Sequence, residues 1–321
     1  MKLKALLALG AILALGFTSS QAQQGKQLSL ATGGTGGVYY PLGGGFASLV
    51  GKFIPGYTAT AEVTGGSVAN LQLIGSKKAE LAFTQVDAAW DAVNGLEKFA
   101  SGKIKVRALV VMYPNNMHVV TIEGTGINSL ADLKGKRVST GSPGSATEVF
   151  AFRVIEAAGL DKDKDMKRER LGVAESVNAL KDKKIDAFFW VGGLPTAAIT
   201  DLAATPNVKI KLLDYSQLVP KMVAKYGNIY ASGVIPKATY KGMEKDAQIA
   251  TVWNLFAVHE DMDEKLAYDL TKLMLEKRDD LALVHAEGRN IKPEWQTKGR
   301  AGIPFHKGAL KYFAEKGIKI E

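Results

Sequence analysis

The sequence predicts an α/β protein built from two similar lobes, and three observations carry that prediction. Short apolar runs alternate with helical patterns along most of the chain, as in folds with a parallel sheet. A Gly-rich turn leading into a helix occurs twice, as Thr32-Gly33-Gly34-Thr35-Gly36-Gly37 and as Gly141-Ser142-Pro143-Gly144-Ser145. The two copies keep register: Thr35 and Gly144 are 109 positions apart, and so are Ser67 and Ser176. Chance likeness between α/β units is the alternative, but a constant offset over two motifs favours a repeat.

A chain of 321 residues is long enough for two lobes of common size. Lys2 and Lys4, an apolar run at 5–17 too short to span a bilayer, and Ser20-Gln21-Ala22 together read as a signal peptide over residues 1–22. A mature chain from near Gln23 in a periplasm is therefore expected, and no later stretch approaches a membrane span. The absence of cysteine excludes disulfides, thiolate metal sites and cysteine nucleophiles. Net charge is +9, lowered by two without Lys2 and Lys4. The lysines are scattered, and no basic run interleaves with aromatics, so nucleic acid is not an expected partner.

Residues 28–31 read as a buried strand that breaks into the first Gly-rich turn, with a helix starting near Val38. The four glycines let backbone N–H groups approach a ligand. A helix start adds unpaired donors and the positive end of its dipole, a setting for an anion. Tyr39 and Tyr40 supply flat walls with hydroxyl tips. A turn that binds nothing has the same composition. A dinucleotide fingerprint fails because Tyr39 stands where glycine is needed, and a phosphate loop ending at Gly51-Lys52 fails at Phe46 and Phe53. A small anion suits this loop better than a nucleotide.

A helix at 45–54 and a strand at 59–63 follow, and Ser67 is the expected N-cap of a helix over 68–77. Residues 80–83 form a short strand with 84–87 at its exit, where α/β sheets bind ligands, and 88–99 continue as helix. Separate strands are expected at 106–113 and 117–122, then a capped turn at 127–133. The pattern restarts with a strand at 137–140, the Gly/Ser turn, a helix over 147–158 closed by Gly159, a helix around 175–180 and a strand at 185–190. Residues 161–170 (DKDKDMKRER) mix signs and read as a solvated loop or helix face. A strand at 250–258 is long enough to run between lobes. Residues 263–280 form an amphipathic helix with Leu266, Leu270, Leu273, Met274 and Leu281 inward, and 304–317 hold a last helix. The simplest packing returns this tail to the first lobe. The expected lobes are 23–122 with 252–321, and 123–251, crossing near 119–126 and 229–258, with a ligand in the cleft between them.

Catalytic constellations are sparse. His118, His259, His285 and His306 lack metal-helix spacing; His118 reads as a core or hinge histidine and the others as surface residues. No G-x-S-x-G elbow is present around Ser67 or Ser142. Asp87 either ligates an amine or caps the helix starting at Ala88. No enzyme, metal or cofactor is expected.

The motifs ATGGTGGVYYPLGG, TGGSVANLQLI with ELAFTQVDAAW, SLADLKGKRVSTGSPGSATE and DAFFWVGGLPTAAI resemble the TAXI family of solute receptors, in family order over nearly the whole mature chain. These are extracytoplasmic binding proteins of a branch of the tripartite, ATP-independent (TRAP) transporters. The resemblance implies a two-lobed type II periplasmic-binding-protein fold with a hinge and an interlobe ligand cleft. It also implies delivery of a small solute to an integral membrane permease driven by an ion gradient. Known members bind glutamate, glutamine and related acids, so a small acidic solute, an amino acid or organic acid, is expected.

Carried over motif by motif, the resemblance implies a first-lobe wall of Thr35, Gly36, Gly37, Val38 and Tyr39, with Gln85, Asp87, Gly66 and Ser67 beside it. From the second lobe it implies Ser142, Gly144, Ser145, Ala146 and Thr147, with Trp190, Gly192 and Gly193 after the last strand. The family commonly carries a tyrosine-like aromatic and a different pair around 190–193, so Trp190-Val191-Gly192-Gly193 is expected to alter pocket size and ligand choice. The motifs place no arginine in the pocket, which leaves a carboxylate to N–H and hydroxyl donors. A sensory receptor with a signalling partner uses the same chemistry, and a secreted enzyme on this fold is the third alternative. A monomer is expected, because no exposed apolar stripe marks an oligomer face.

Overall fold

Each Gly-rich turn sits where the chain leaves the central strand of a parallel β-α-β-α-β unit. In the computed structural model, which describes residues 25–321, the first unit is β1 (Lys26–Ala31), α1 (Tyr39–Phe53), β2 (Tyr57–Glu62), α2 (Ser67–Gly75) and β3 (Leu81–Gln85). β1 lies between β2 and β3 and pairs parallel with both. After α3 (Val86–Asn94) and the long strand β4 (Val106–Ile122), the unit repeats as β5 (Arg137–Ser139), α4 (Ala146–Ala157), β6 (Lys167–Glu169), α5 (Val173–Lys181) and β7 (Ala187–Gly192). β5 again lies between two parallel neighbours. The signal peptide expected over residues 1–22 lies outside the described residues.

The remaining elements are α6 (Ala197–Ala204), β8 (Ile210–Leu212), α7 (Val219–Tyr226), β9 (Tyr230–Ile235), β10 (Ala247–His259), α8 (Glu264–Glu276), α9 (Arg278–Ala282), α10 (Lys298–Ala301) and α11 (Lys307–Glu315). One ten-stranded sheet results, ordered β2-β1-β3-β10-β4-β7-β5-β6, with β8 on β4 and β9 on β10. β4 and β10 join the lobes. β4 pairs with β10 from Val106 to Asn116 across bulges, and with β7 from Asn116 to Thr121. β10 pairs with β9 over Ala247–Val252 and with β3 from Asn254 to Val258. On the first lobe, Phe46 of α1 stacks edge-on against Phe256 at 4.9 Å, and Phe256 meets Phe83 at 5.8 Å. All three rings are fully buried, each worth about 1.5–3 kcal/mol.

Several expected boundaries move for local reasons. The helix start expected near Val38 and the helix expected at 45–54 are one helix, α1 from Tyr39, in which Gly43 and Gly45 are helical positions where neighbours leave no room for a side chain. A Cβ on Gly43 would stand 2.5 Å from Thr32 Cγ2. Ser67 does not cap α2; Gly66 precedes the helix at φ 111°, and the Ser67 hydroxyl accepts the Gln85 N–H at 3.1 Å. The helix expected to 99 stops at Asn94, where Gly95 turns left-handed. The strands expected at 106–113 and 117–122 are one, since Pro114 falls at a bulge opposite Trp253 and removes a single ladder donor. The helix expected over 263–280 breaks at Lys277 into α8 and α9, with all five named side chains buried. Residues 161–170 hold edge strand β6, and His306, expected at the surface, is buried as the N-cap of α11.

Candidate ligand-binding cleft

Four helix N-termini converge on one cavity of about 380 Å³ between the two repeat units. From the first lobe come the residues leading into α1 (Gly33 to Tyr39) and α2 (Val63 to Ser67), with Gln85 at the exit of β3. The second lobe contributes Ser142, Ser145, Ala146 and Thr147 at the start of α4, Arg170 to Glu175 at the start of α5, and Trp190 to Gly192 at the end of β7. Tyr113 and Asn115 of β4 complete the lining. The N-caps of α1, α2 and α5 are Val38, Gly66 and Gly172, and none offers a side-chain cap. Their first-turn N–H groups have no intrahelical acceptor, so the positive ends of three helices without side-chain caps face the cavity, with the Ala69 N–H of α2 already engaged and Pro41 of α1 offering none. At α4 the Ser145 hydroxyl accepts from Glu148 N–H at 3.1 Å and donates to the Ser142 carbonyl at 2.7 Å, so it is already engaged.

The two walls touch around the cavity. Ser142 Oγ donates to the Gly65 carbonyl at 3.1 Å, and Ala69 N–H donates to the Gly144 carbonyl at 3.0 Å. On the other side, Ala198 N–H donates to the Gly36 carbonyl at 3.3 Å. A Cβ on Gly37 would stand 2.9 Å from the Trp190 ring, which is held by its Nε1–H donating to Thr196 Oγ1 at 2.9 Å. The cleft is closed in this structure.

The profile of the NMT1-like family matches residues 30–317, nearly the whole described chain. The chain belongs to the NMT1-like family. Three solved structures resemble this NMT1-like protein over most of its length. A Bordetella bronchiseptica RB50 protein is 17% identical, covering 90% of this chain and 88% of that one at a TM-score of 0.52. Tv2483, solved bound to L-arginine, is 13% identical, covering 83% and 90% at 0.51. A Streptococcus mutans chain, from the glutathione-import system of GshT and the cystine ABC importer TcyBC, is 13% identical, covering 89% and 99% at 0.50. At these identities the likeness is one of fold: the NMT1-like chain has the two-lobed α/β architecture of type II solute-binding proteins.

Of the seventeen residues expected at the site, fourteen line the cavity of the NMT1-like protein: Thr35, Gly36, Gly37, Val38, Tyr39, Gly66, Ser67, Gln85, Ser142, Ser145, Ala146, Thr147, Trp190 and Gly192. Asp87, Gly144 and Gly193 do not. Gly144 packs against Ala69 across the cleft, and Gly193 sits against Glu287, whose Oε1 accepts the Leu194 N–H at 2.7 Å. Asp87 is fully buried behind Gln85; its carboxylate accepts the Ala88 N–H at 2.8 Å and the Tyr230 hydroxyl at 3.0 Å. Arg153 of α4 donates to Asp91 of α3 at 2.6 Å and to Tyr230 at 2.9 Å, which makes Asp87, Asp91, Arg153 and Tyr230 a buried ionic tie between the two units. Burial pushes the Asp87 carboxyl up to about 6, against the opposing pull of Arg153.

Arg170 is the lining residue that the charge run concealed. Its Nε donates to Glu148 Oε1 at 2.7 Å, and Arg168 reaches the same oxygen at 3.3 Å. The Glu148 side chain is buried while that of Arg170 is 44% exposed, so the guanidinium is held at the cavity rim over a buried carboxylate, and Arg168 behind it also pairs with Asp163 at 3.4 Å. Residues 172–175 were also missed, although shifting 63–66 by the 109-residue offset points straight to them. Asn115 and Tyr113 carried a fainter signal, polar groups inside an apolar strand. His118 is fully buried, its ring bonded to the Asn116 carbonyl and Tyr240, and burial lowers its pKa to about 4. It does not line the cavity.

Proposed function

We propose that this protein is an extracytoplasmic solute receptor that closes its two lobes on a small acidic solute and hands it to a membrane permease. The observation that carries this reading is the convergence of uncapped helix N-termini on a closed interlobe cavity of about 380 Å³, a volume suited to a small metabolite. The TAXI-like motifs favour a glutamate- or glutamine-like amino acid or an organic acid, and a TRAP-type permease as partner. The fourteen lining residues are the proposed contacts, with lobes 23–122 plus 252–321 and 123–251 hinged on β4 and β10. The exported, monomeric form is the proposed working state.

The test is a thermal-shift screen of the mature protein, unfolded and refolded to strip carried ligand, against amino acids, dicarboxylates, 2-oxo acids and sugars. A true ligand at a hundred times its Kd stabilises by about 2.7 kcal/mol, or roughly 5 °C for a chain of this size. A rise with one acidic class supports the reading; a rise with sugars alone sinks the acidic solute. The Streptococcus mutans neighbour comes from a system with an ABC importer, so membranes carrying each permease class decide the partner. Retention of the loaded receptor by the ABC importer and not by the TRAP permease overturns that half of the proposal.

A further inference from the structure

Three buried polar atoms on the cavity wall have no hydrogen-bond partner among the described residues: Gln85 Oε1, Asn115 Oδ1 and the Tyr113 hydroxyl. Their residues are 3%, 2% and 0% exposed. Orphaned groups of this kind are rare in folded proteins, and three around one cavity call for a partner that enters it. Asn115 is oriented by its own amide: Nδ2 donates to Asn254 Oδ1 at 2.7 Å, which leaves Oδ1 as the free end. Asn254 is anchored in turn, its Nδ2 donating to the Tyr113 carbonyl at 3.0 Å and its Oδ1 also accepting the Tyr39 hydroxyl. Gln85 is held through its backbone N–H by Ser67, so its side-chain amide is free to meet a ligand.

Two of the three orphans are amide oxygens, which only accept. A carboxylate repels them; an N–H or O–H satisfies them. Behind them lie Asp87 and Asp91 with one guanidinium, Arg153, between two carboxylates; at the second-lobe rim Arg170 and Arg168 meet Glu148, Arg168 also pairs with Asp163 at 3.4 Å, and Glu175 lines the cavity. The cavity therefore has an acceptor-rich, deeply buried floor, and the N–H donors of the helix starts stand at its rim.

Resting on the receptor reading above, we propose that Gln85 and Asn115 are specificity-determining residues: the bound acid carries an ammonium or hydroxyl donor that they receive, while its carboxylate faces the helix N-termini. The oxo acid and the unsubstituted acid of the same skeleton leave both oxygens unpaired in the closed cleft. Sites built around such a bond reject analogues that lack it far more strongly than apolar pockets reject a missing methylene. The ammonium is favoured over the hydroxyl by the carboxylate pair behind the floor.

The experiment is calorimetric titration of the refolded mature protein with matched sets. These are alanine, lactate, pyruvate and propionate; aspartate, malate, oxaloacetate and succinate; glutamate, 2-hydroxyglutarate, 2-oxoglutarate and glutarate. Within whichever skeleton binds, the amino acid should bind at least about tenfold tighter than the oxo and unsubstituted acids. Gln85→Met should shrink that ratio by about tenfold without lowering the melting point of the ligand-free protein, because it removes an unsatisfied buried oxygen. Equal affinity across a set, or an unchanged ratio in Gln85→Met, overturns this inference and leaves the acid receptor standing. Failure of every acid to bind overturns the receptor's ligand class and this inference with it.

Discussion

At the scale of single residues, the glycines of the opening motif have a different use from the one their composition suggests. Gly36 and Gly37 were expected to bare their N–H groups to a ligand, yet each also marks a close approach of the second lobe. A Cβ on Gly36 would meet Ala174 and Ala198 at 3.2 Å, and one on Gly37 would meet Trp190 at 2.9 and 3.0 Å. The Trp190 ring cannot swing away without breaking its bond to Thr196. Gly37→Ala should therefore hold the cleft ajar and raise the ligand Kd roughly tenfold or more, with the ligand-free melting point nearly unchanged. Calorimetry and a melting curve check both halves. A lowered melting point with intact affinity assigns Gly37 to the fold alone.

Among elements, α3 and α4 meet through the buried tie of Asp87, Asp91, Arg153 and Tyr230. Since the Asp87 carboxyl sits near 6 when folded and near 3.8 when unfolded, the native state holds the proton more tightly. Its contribution is thus most favourable in acid and is lost as pH rises from about 4 through 6. Asp87→Asn removes that titration. Its stability relative to the parent protein should climb over the same window by up to about 1.4 kcal/mol per pH unit, measured by urea unfolding at stepped pH. A flat difference means that Asp87 titrates normally. Much of the element map was legible in the sequence, because apolar strands such as residues 80–83 and Gly/Ser turns are local signals. Fourteen of the cavity-lining residues followed from the turns and the family-like motifs. What escaped depended on distant neighbours. Arg170 lies in a charge run that looks solvated until Glu148 is found beneath it. Ser67 looks like a cap until Gln85 arrives from another strand to claim its hydroxyl. Pro114 looks like a strand break until β10 supplies a bulge there.

For the whole molecule, closure is the motion that the two shared strands permit. β4 and β10 pass through both lobes, and in the proposed closure the lobes rotate about the stretch where β10 exchanges β9 for β3, between Val252 and Asn254, and β4 gains β7, at Asn116, without breaking either lobe's sheet. X-ray scattering of the refolded protein should give a radius of gyration above the roughly 19 Å expected for a compact chain of this length, falling on addition of ligand. An identical radius with and without saturating ligand rules out hinge closure as the binding motion. The strand order also bears on biogenesis. β10 lies between β3 and β4, yet it is encoded more than a hundred residues after them. A chain delivered N-terminus first has α1, α2 and α3 of its first lobe delivered long before the strand that completes that lobe's sheet has emerged. The edge of β3 lacks its native partner throughout delivery of the second lobe, so the last quarter of the polypeptide, rather than the motif-rich first quarter, completes the first lobe's sheet.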